Sequence, residues 1–148
     1  MILYNNAVGK LVEGRIIFPA TAEEIADAGR FMAAVEKKYA GSHVNLIDLR
    51  QAGVGTQQFV EASVERLHHH DCPPVRAAIV LEEGVIQRIQ LKRIVRAAKE
   101  SEDRARLVST VADALVWLKP VLTAVEYDRA RQFLEEGTAK DAKAAAVP

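Results

Sequence analysis

Three acidic side chains, Asp48, Glu82 and Glu83, stand at the carboxyl ends of two apolar runs, Val44–Leu49 and Val75–Leu81. If those runs are neighbouring strands, the carboxylates approach one another. Paired carboxylates can divide acid and base work when their surroundings separate their pKa values. The same groups can instead cap the helices that follow, because a helix amino terminus favours negative charge. The sequence places no nucleophile or histidine beside them, so capping is preferred and no catalytic residue is assigned.

The run His68-His69-His70-Asp71-Cys72 has ligand types that zinc, nickel or iron would accept. On a helix, consecutive side chains point about 100° apart, so three adjacent histidines cannot converge on one ion. Only His68 and Cys72 share a face, and Pro73-Pro74 unwinds the turn that would carry them. A cationic histidine near a helix carboxyl end is favoured by the dipole, so a capping role is preferred and no metal site is assigned. No cofactor is expected.

The third candidate is the loop after the first apolar run, Arg50-Gln51-Ala52-Gly53-Val54-Gly55-Thr56. It leaves a strand at its carboxyl end and feeds a helix, the place where open α/β sheets bind ligands. Gly53 and Gly55 let the backbone approach a bound group, and the helix amides after Thr56 suit an anion. The lysine and spacing of a phosphate-binding loop are missing. Asp48, Arg50, Gly53, Gly55 and Thr56 form the candidate binding set, with Thr56 the candidate phosphate acceptor. Elsewhere, Arg88, Lys92, Arg96 and Lys99 form a basic stripe suited to solvent or an acidic partner. Trp117, the only tryptophan, is read as packing or an interface contact.

The elements that position these residues follow from periodicity. Ile2–Asn6 and Lys10–Phe18 read as a hairpin, with Gly14 marking a bulge or a close backbone approach. Thr21-Ala22-Glu23-Glu24 is a capping box, opening a helix whose core stripe is Ile25, Ala28, Met32, Val35 and Tyr39 and which Gly41 ends. The run Val44–Arg50 is a central strand. Gln57–His70 is a helix with Val60, Val64 and Leu67 inward. Val75–Leu81 is the next strand, and Val85–Lys99 a helix with Ile86, Ile89, Ile94 and Ala97 toward the sheet. Arg104–Ser109 is the last strand. Thr110 caps a helix bearing Val111, Leu115 and Leu118, Pro120 interrupts, and Thr123–Glu136 forms a final helix that Gly137 ends. Alternating strands and helices demand a mostly parallel sheet with right-handed crossovers. The expectation is an α/β fold with a four- to five-stranded, mostly parallel sheet, an N-terminal antiparallel hairpin and flanking helices. Leu46 and Ile79 should both be fully buried in it.

The totals narrow the class further. Twenty basic and twenty acidic residues cancel, which removes the broad positive footprint of a nucleic-acid binder. A single cysteine permits no internal disulfide and suits a reducing, cytoplasmic setting. Met1–Asn6 has no basic region ahead of an apolar core, as a signal peptide would. No apolar run reaches the ~20 residues of a membrane helix, so no membrane insertion is expected.

In its order of elements the chain resembles the STAS-like domains, the sulfate-transporter and anti-sigma-factor-antagonist superfamily, and in particular a divergent, stand-alone bacterial branch. The matching features are Gly14 before the first helix, Asp48-Leu49-Arg50 at the strand end, Arg76-Ala77-Ala78-Ile79-Val80, and the segment from Ala105 to Leu118. The likeness spans residues 8–119, so the expected division is a STAS-like domain over 1–119 and a C-terminal helical extension and tail over 120–148. In antagonist members an aspartate-serine pair after the central strand carries a phosphorylation switch. Thr56 and Gln57 stand where that pair would lie, and neither matches it.

The resemblance implies a non-catalytic regulatory or protein-interaction module, binding a protein partner, a second copy or a small ligand at the 50–56 loop. The alternative is an enzyme or metal protein using Asp48, Glu82 and His68–His70. The final helix, rich in apolar side chains, is expected to pack across the domain or onto a second copy as a homodimer.

Overall fold

The computed structural model describes residues 1–68, 72–82, 85–97 and 104–146. Five strands, β1 (Ile2–Asn5), β2 (Leu11–Ile16), β3 (Val44–Asp48), β4 (Arg76–Val80) and β5 (Ala105–Val108), form one sheet in the order of the chain. β1 runs antiparallel to β2 and every other neighbour is parallel. The helices are α1 (Ala22–Tyr39), α2 (Gln57–His68), α3 (Val85–Ala97), α4 (Val111–Leu118) and α5 (Ala124–Ala146), with a 3-10 turn at Lys119–Val121 between the last two. The fold is α/β with a mixed sheet, an antiparallel hairpin at its start and flanking helices, as the alternation of patterns required.

Side-chain alternation along the strands assigns residues to two faces. Register sets Leu11 beside Val44, Glu13 beside Leu46 and Arg15 beside Asp48, and continues Leu46 to Ala78 and Asp48 to Val80. That face carries the larger core, in which Leu11, Val44, Leu46, Ala78 and Val80 meet Leu115 and Leu118 of α4 and Ala130, Phe133 and Leu134 of α5. The expected C-terminal extension thus packs into the same core as the strands. The opposite face holds two smaller clusters. One joins Ile16, Leu49, Ala52 and Leu81 to Leu91 of α3; the other joins Val12 to Met32 and Val35 of α1.

The helix starts are chemically specified. Thr21 and Glu24 form the expected capping box. The Thr110 hydroxyl accepts from the Asp113 amide. Thr123 and Glu126 make the same reciprocal pair at the start of α5, at 2.8 and 3.2 Å.

Four expectations change. The left-handed residue ending α1 is Ala40, at φ 51°, with Gly41 at φ 86° following it. Ile79 is not fully buried; it alternates to the face opposite Leu46 and lines a cavity there. Ile89 points outward and is 62% exposed, while Leu91 and Ile94 pack inward. The inward side of α3 also carries Gln87 and Gln90, whose polarity hid it from a hydrophobic stripe. Finally, Gly137 does not end α5, which runs nine residues further. It is a contact residue: a Cβ there would lie 2.6 Å from Asp48 Oδ2, 2.7 Å from Arg50 Nη2 and 2.8 Å from Arg15 Nη2. Gly14 likewise marks a close approach, its strand pairing being regular and the Tyr4 ring lying where a Cβ would point.

Candidate functional site

The five residues of the candidate binding set separate into two places. Asp48 and Arg50 lie beneath α5, whereas Gly53, Gly55 and Thr56 lie against α2 and α3. At the first place, parallel register alone puts Arg15 beside Asp48 on the face that α5 covers. Arg15 Nε donates to Asp48 Oδ2 at 3.2 Å, and both residues are 3% exposed. Arg50 forks onto the same carboxylate, with Nε on Oδ1 and Nη2 on Oδ2, each at 2.9 Å. The arginines then reach α5: Arg15 Nη2 donates to the Phe133 carbonyl and Arg50 Nη2 to the Leu134 carbonyl, both at 2.7 Å. Gln51 Nε2 donates to the Gly137 carbonyl at 3.1 Å. The Arg15 guanidinium also stacks 4.2 Å from the Phe133 ring centre.

Two residues back along β2, Glu13 accepts from Arg129 of α5, from Nε at 2.9 Å and from Nη2 at 2.5 Å. Arg129 also pairs with Glu136, and Asn5 Nδ2 donates to Glu13. The network sets three arginines against three carboxylates. Burial pushes the Asp48 carboxyl up, but the Arg50 hydrogen bonds and the charges of Arg50 and Arg15 outweigh it and hold it below the ordinary carboxylate range. The hydrogen bond to Glu13 raises the Arg129 guanidinium. Asp48 is thus ionised, doubly paired and covered, which suits it to fastening α5 and leaves it unsuited to exchanging protons with a substrate near neutral pH. The helix start is tied down as well. Glu126 Oε2 accepts from the Lys10 amide at 2.6 Å, beside Gly9, where a Cβ would collide with that carboxylate.

At the second place, two glutamines of α3 fasten the glycine turn. Gln87 Nε2 donates to the Gly53 carbonyl at 2.9 Å. Gln90 bonds Gly55 reciprocally, its Oε1 accepting from the amide at 3.1 Å and its Nε2 donating to the carbonyl at 2.8 Å. Gly53 has φ +71°, which accounts for a glycine there. The Thr56 hydroxyl is exposed and accepts from the Phe59 amide, capping α2. Val54 at the tip is 55% exposed. The Gly55 amide is therefore taken by Gln90, and of the helix amides expected to suit an anion, that of Phe59 is taken by Thr56.

The remaining candidates fall apart. Glu82 is exposed and absent from the hydrogen bonds of Asp48. Glu83, His69, His70, Asp71 and Lys99 lie outside the described residues, as does the His68 side chain. Among the described residues, no group of three or more His, Cys, Asp or Glu side chains is arranged to hold a metal ion. Among the same residues, no helix is long and apolar enough to cross a membrane. Trp117 is buried; its Nε1 donates to the Ala77 carbonyl at 3.1 Å, and the Arg76 and Arg106 guanidiniums lie 4.1 and 3.9 Å from its ring centre.

Three other charges of the network, Glu13, Arg15 and Arg129, escaped the sequence reading, although their signal was present. Glu13 and Arg15 alternate with Val12 and Gly14 in a strand, so both charges continue the face of Leu11. Arg129, Phe133 and Gly137 recur every four residues along α5 and form one helix face. Only the pairing of the two patterns shows that they neutralise each other. No protein-family model, curated protein or solved structure matches the chain.

Proposed function

We propose that the chain is a non-catalytic regulatory or protein-interaction module of STAS type that meets its partner through the Gly53–Thr56 loop. The observation that carries this reading is the loop's construction: an exposed tip held in one shape by Gln87 and Gln90. A loop immobilised before binding loses little conformational entropy when it docks. Val54 and Thr56 offer apolar and hydroxyl contacts at its crest, and the outward Ile89 adds a further apolar side chain on α3. Thr56 is the proposed phosphate acceptor; a phosphate there would lie at the amino end of α2, where the dipole favours it. The enzymatic alternative is less favoured, because Asp48 is committed to Arg15 and Arg50.

The test is affinity capture from the source cell with the parent chain, Val54→Asp and Thr56→Glu. Circular dichroism would first verify that each variant is folded. We expect a protein retained by the parent to be lost with Val54→Asp. Equal retention by all three chains would remove the loop from the function.

A further inference from the structure

On the sheet face opposite the arginine network, α1, α2 and α3 do not close onto the strands. They leave a half-open cavity of about 360 Å3 between them and β3 and β4. That volume lies within the range of small-molecule sites, roughly 300–1,000 Å3. It would hold on the order of ten waters at the ~30 Å3 each occupies in the liquid. Its walls are Ile25, Met32, Ile47, Phe59, Ile79 and Leu91, with further small and aliphatic side chains, and among the described residues no charged side chain lines it. Water gains little in such a space, since a stable buried water needs two to four polar partners.

The polar side chains among the described lining residues are Tyr4, Asn45 and Ser63. Asn45 stands in the middle of β3 with apolar residues on either side in sequence, and it lines the cavity. Its Oδ1 is shielded from solvent and accepts no hydrogen bond from any described residue. A shielded carbonyl without a donor costs about 1–3 kcal/mol, and a turn of the amide about its broad terminal torsion brings it to the cavity, where an occupant can supply one. Ser63 of α2 is the other short polar side chain in the lining.

We propose that this cavity is a binding site for a neutral, largely apolar small molecule bearing one hydrogen-bond donor, an alcohol or an amide, whose donor is received by Asn45 Oδ1. A neutral occupant is proposed over an anionic amphiphile because the described lining offers no cation to compensate a desolvated carboxylate. This site adjoins the Gly53–Thr56 loop through Phe59, but neither Val54 nor Thr56 lines it and it does not depend on that reading.

The experiment compares 1-octanol, octane and octanoate, using calorimetry and the thermal midpoint of the full chain. Octanol should bind saturably, one per chain, and raise the midpoint. Octanoate should bind at least about tenfold more weakly, a difference of about 1.4 kcal/mol. Asn45→Leu should abolish the preference for octanol over octane while still admitting both. Ala62→Phe, which puts a ring into the cavity, should abolish octanol binding. Val54→Asp should leave octanol affinity unchanged. The proposal is overturned if octanol shows no saturable binding, if octanoate binds equally well, or if the octanol preference survives in Asn45→Leu. Loss of octanol binding in Val54→Asp would also overturn it, by placing the site at the loop. The selectivity of Asn45→Leu decides the matter even if Ala62→Phe fails to fold.

Discussion

Beneath α5 the sheet sets Arg15, Arg50 and Arg129 against Glu13, Asp48 and Glu136, and the space is filled until only a glycine fits at 137. Beneath α1, α2 and α3 the same strands present apolar side chains and Asn45, and the space is open. The charged face is the more tightly built of the two. A buried charge that loses its partner is penalised heavily, so its geometry must be complete. An apolar wall incurs no comparable penalty when left partly uncovered, and so it can be shaped for an occupant. Here the ionisable residues of β2 and β3 serve the architecture, and apolar residues of the same sheet line the cavity.

The sharpest way to break that contrast is to leave Arg15 unpaired. Asp48→Ala removes the carboxylate between two arginines, and we expect a loss of about 3–5 kcal/mol in urea unfolding. A change below about 1 kcal/mol would mean that the network is ornamental. Leu46→Ala and Ile79→Ala then compare adjacent strands on opposite faces. The first opens a void in filled core and should cost about 2–5 kcal/mol. The second enlarges an existing space and should cost about 2 kcal/mol or less. Equal losses would show that the two faces are packed alike.

Gly137→Ala gives a smaller effect but a decisive sign. In an unencumbered helix this change stabilises by up to about 1 kcal/mol. Against Asp48, Arg50 and Arg15 it should destabilise by about 1–3 kcal/mol. A raised melting temperature would place α5 away from the sheet at that point. The mildest probe is pH. The folded-state pKa of Asp48 lies below its unfolded value, so its stabilising contribution is present above about pH 4. It is lost as pH falls through the lowered folded value. Urea midpoints measured downward from pH 5 should fall more steeply for the parent than for Asp48→Asn. Parallel curves would assign the acid sensitivity to the other lowered carboxylates, Glu126, whose bonds from the Thr123 and Lys10 amides outweigh its burial, and Glu24, held low by the Thr21 and Ile2 amides.

Much of the architecture was legible because it depends on local rules. Thr21 and Glu24 announce a helix start through bonds closed within four residues, and Gly14 announces a close approach by what it lacks. Apolar runs bounded by turns specified the strands of the sheet, and their alternation with helices required parallel pairing. The direction of α3 was not legible, because Gln87 and Gln90 turn inward only when Gly53 and Gly55 are there to receive them.

The same distinction governs the candidate site. Asp48 and Arg50 stood out in the sequence as strand-end polar residues, but whether they face a ligand or a helix depends on α5, more than eighty positions away. Glycine at 137 reads locally as a helix stop, and the arginines beneath it reveal a contact. Asn45 is unremarkable in sequence; it acquires meaning when three helices stop short of the strand that carries it. Hydrogen-bond geometry and side-chain period act over a few residues and are therefore written in the chain. Charge neutralisation and the closing of space join distant segments, and only the tertiary structure decided them.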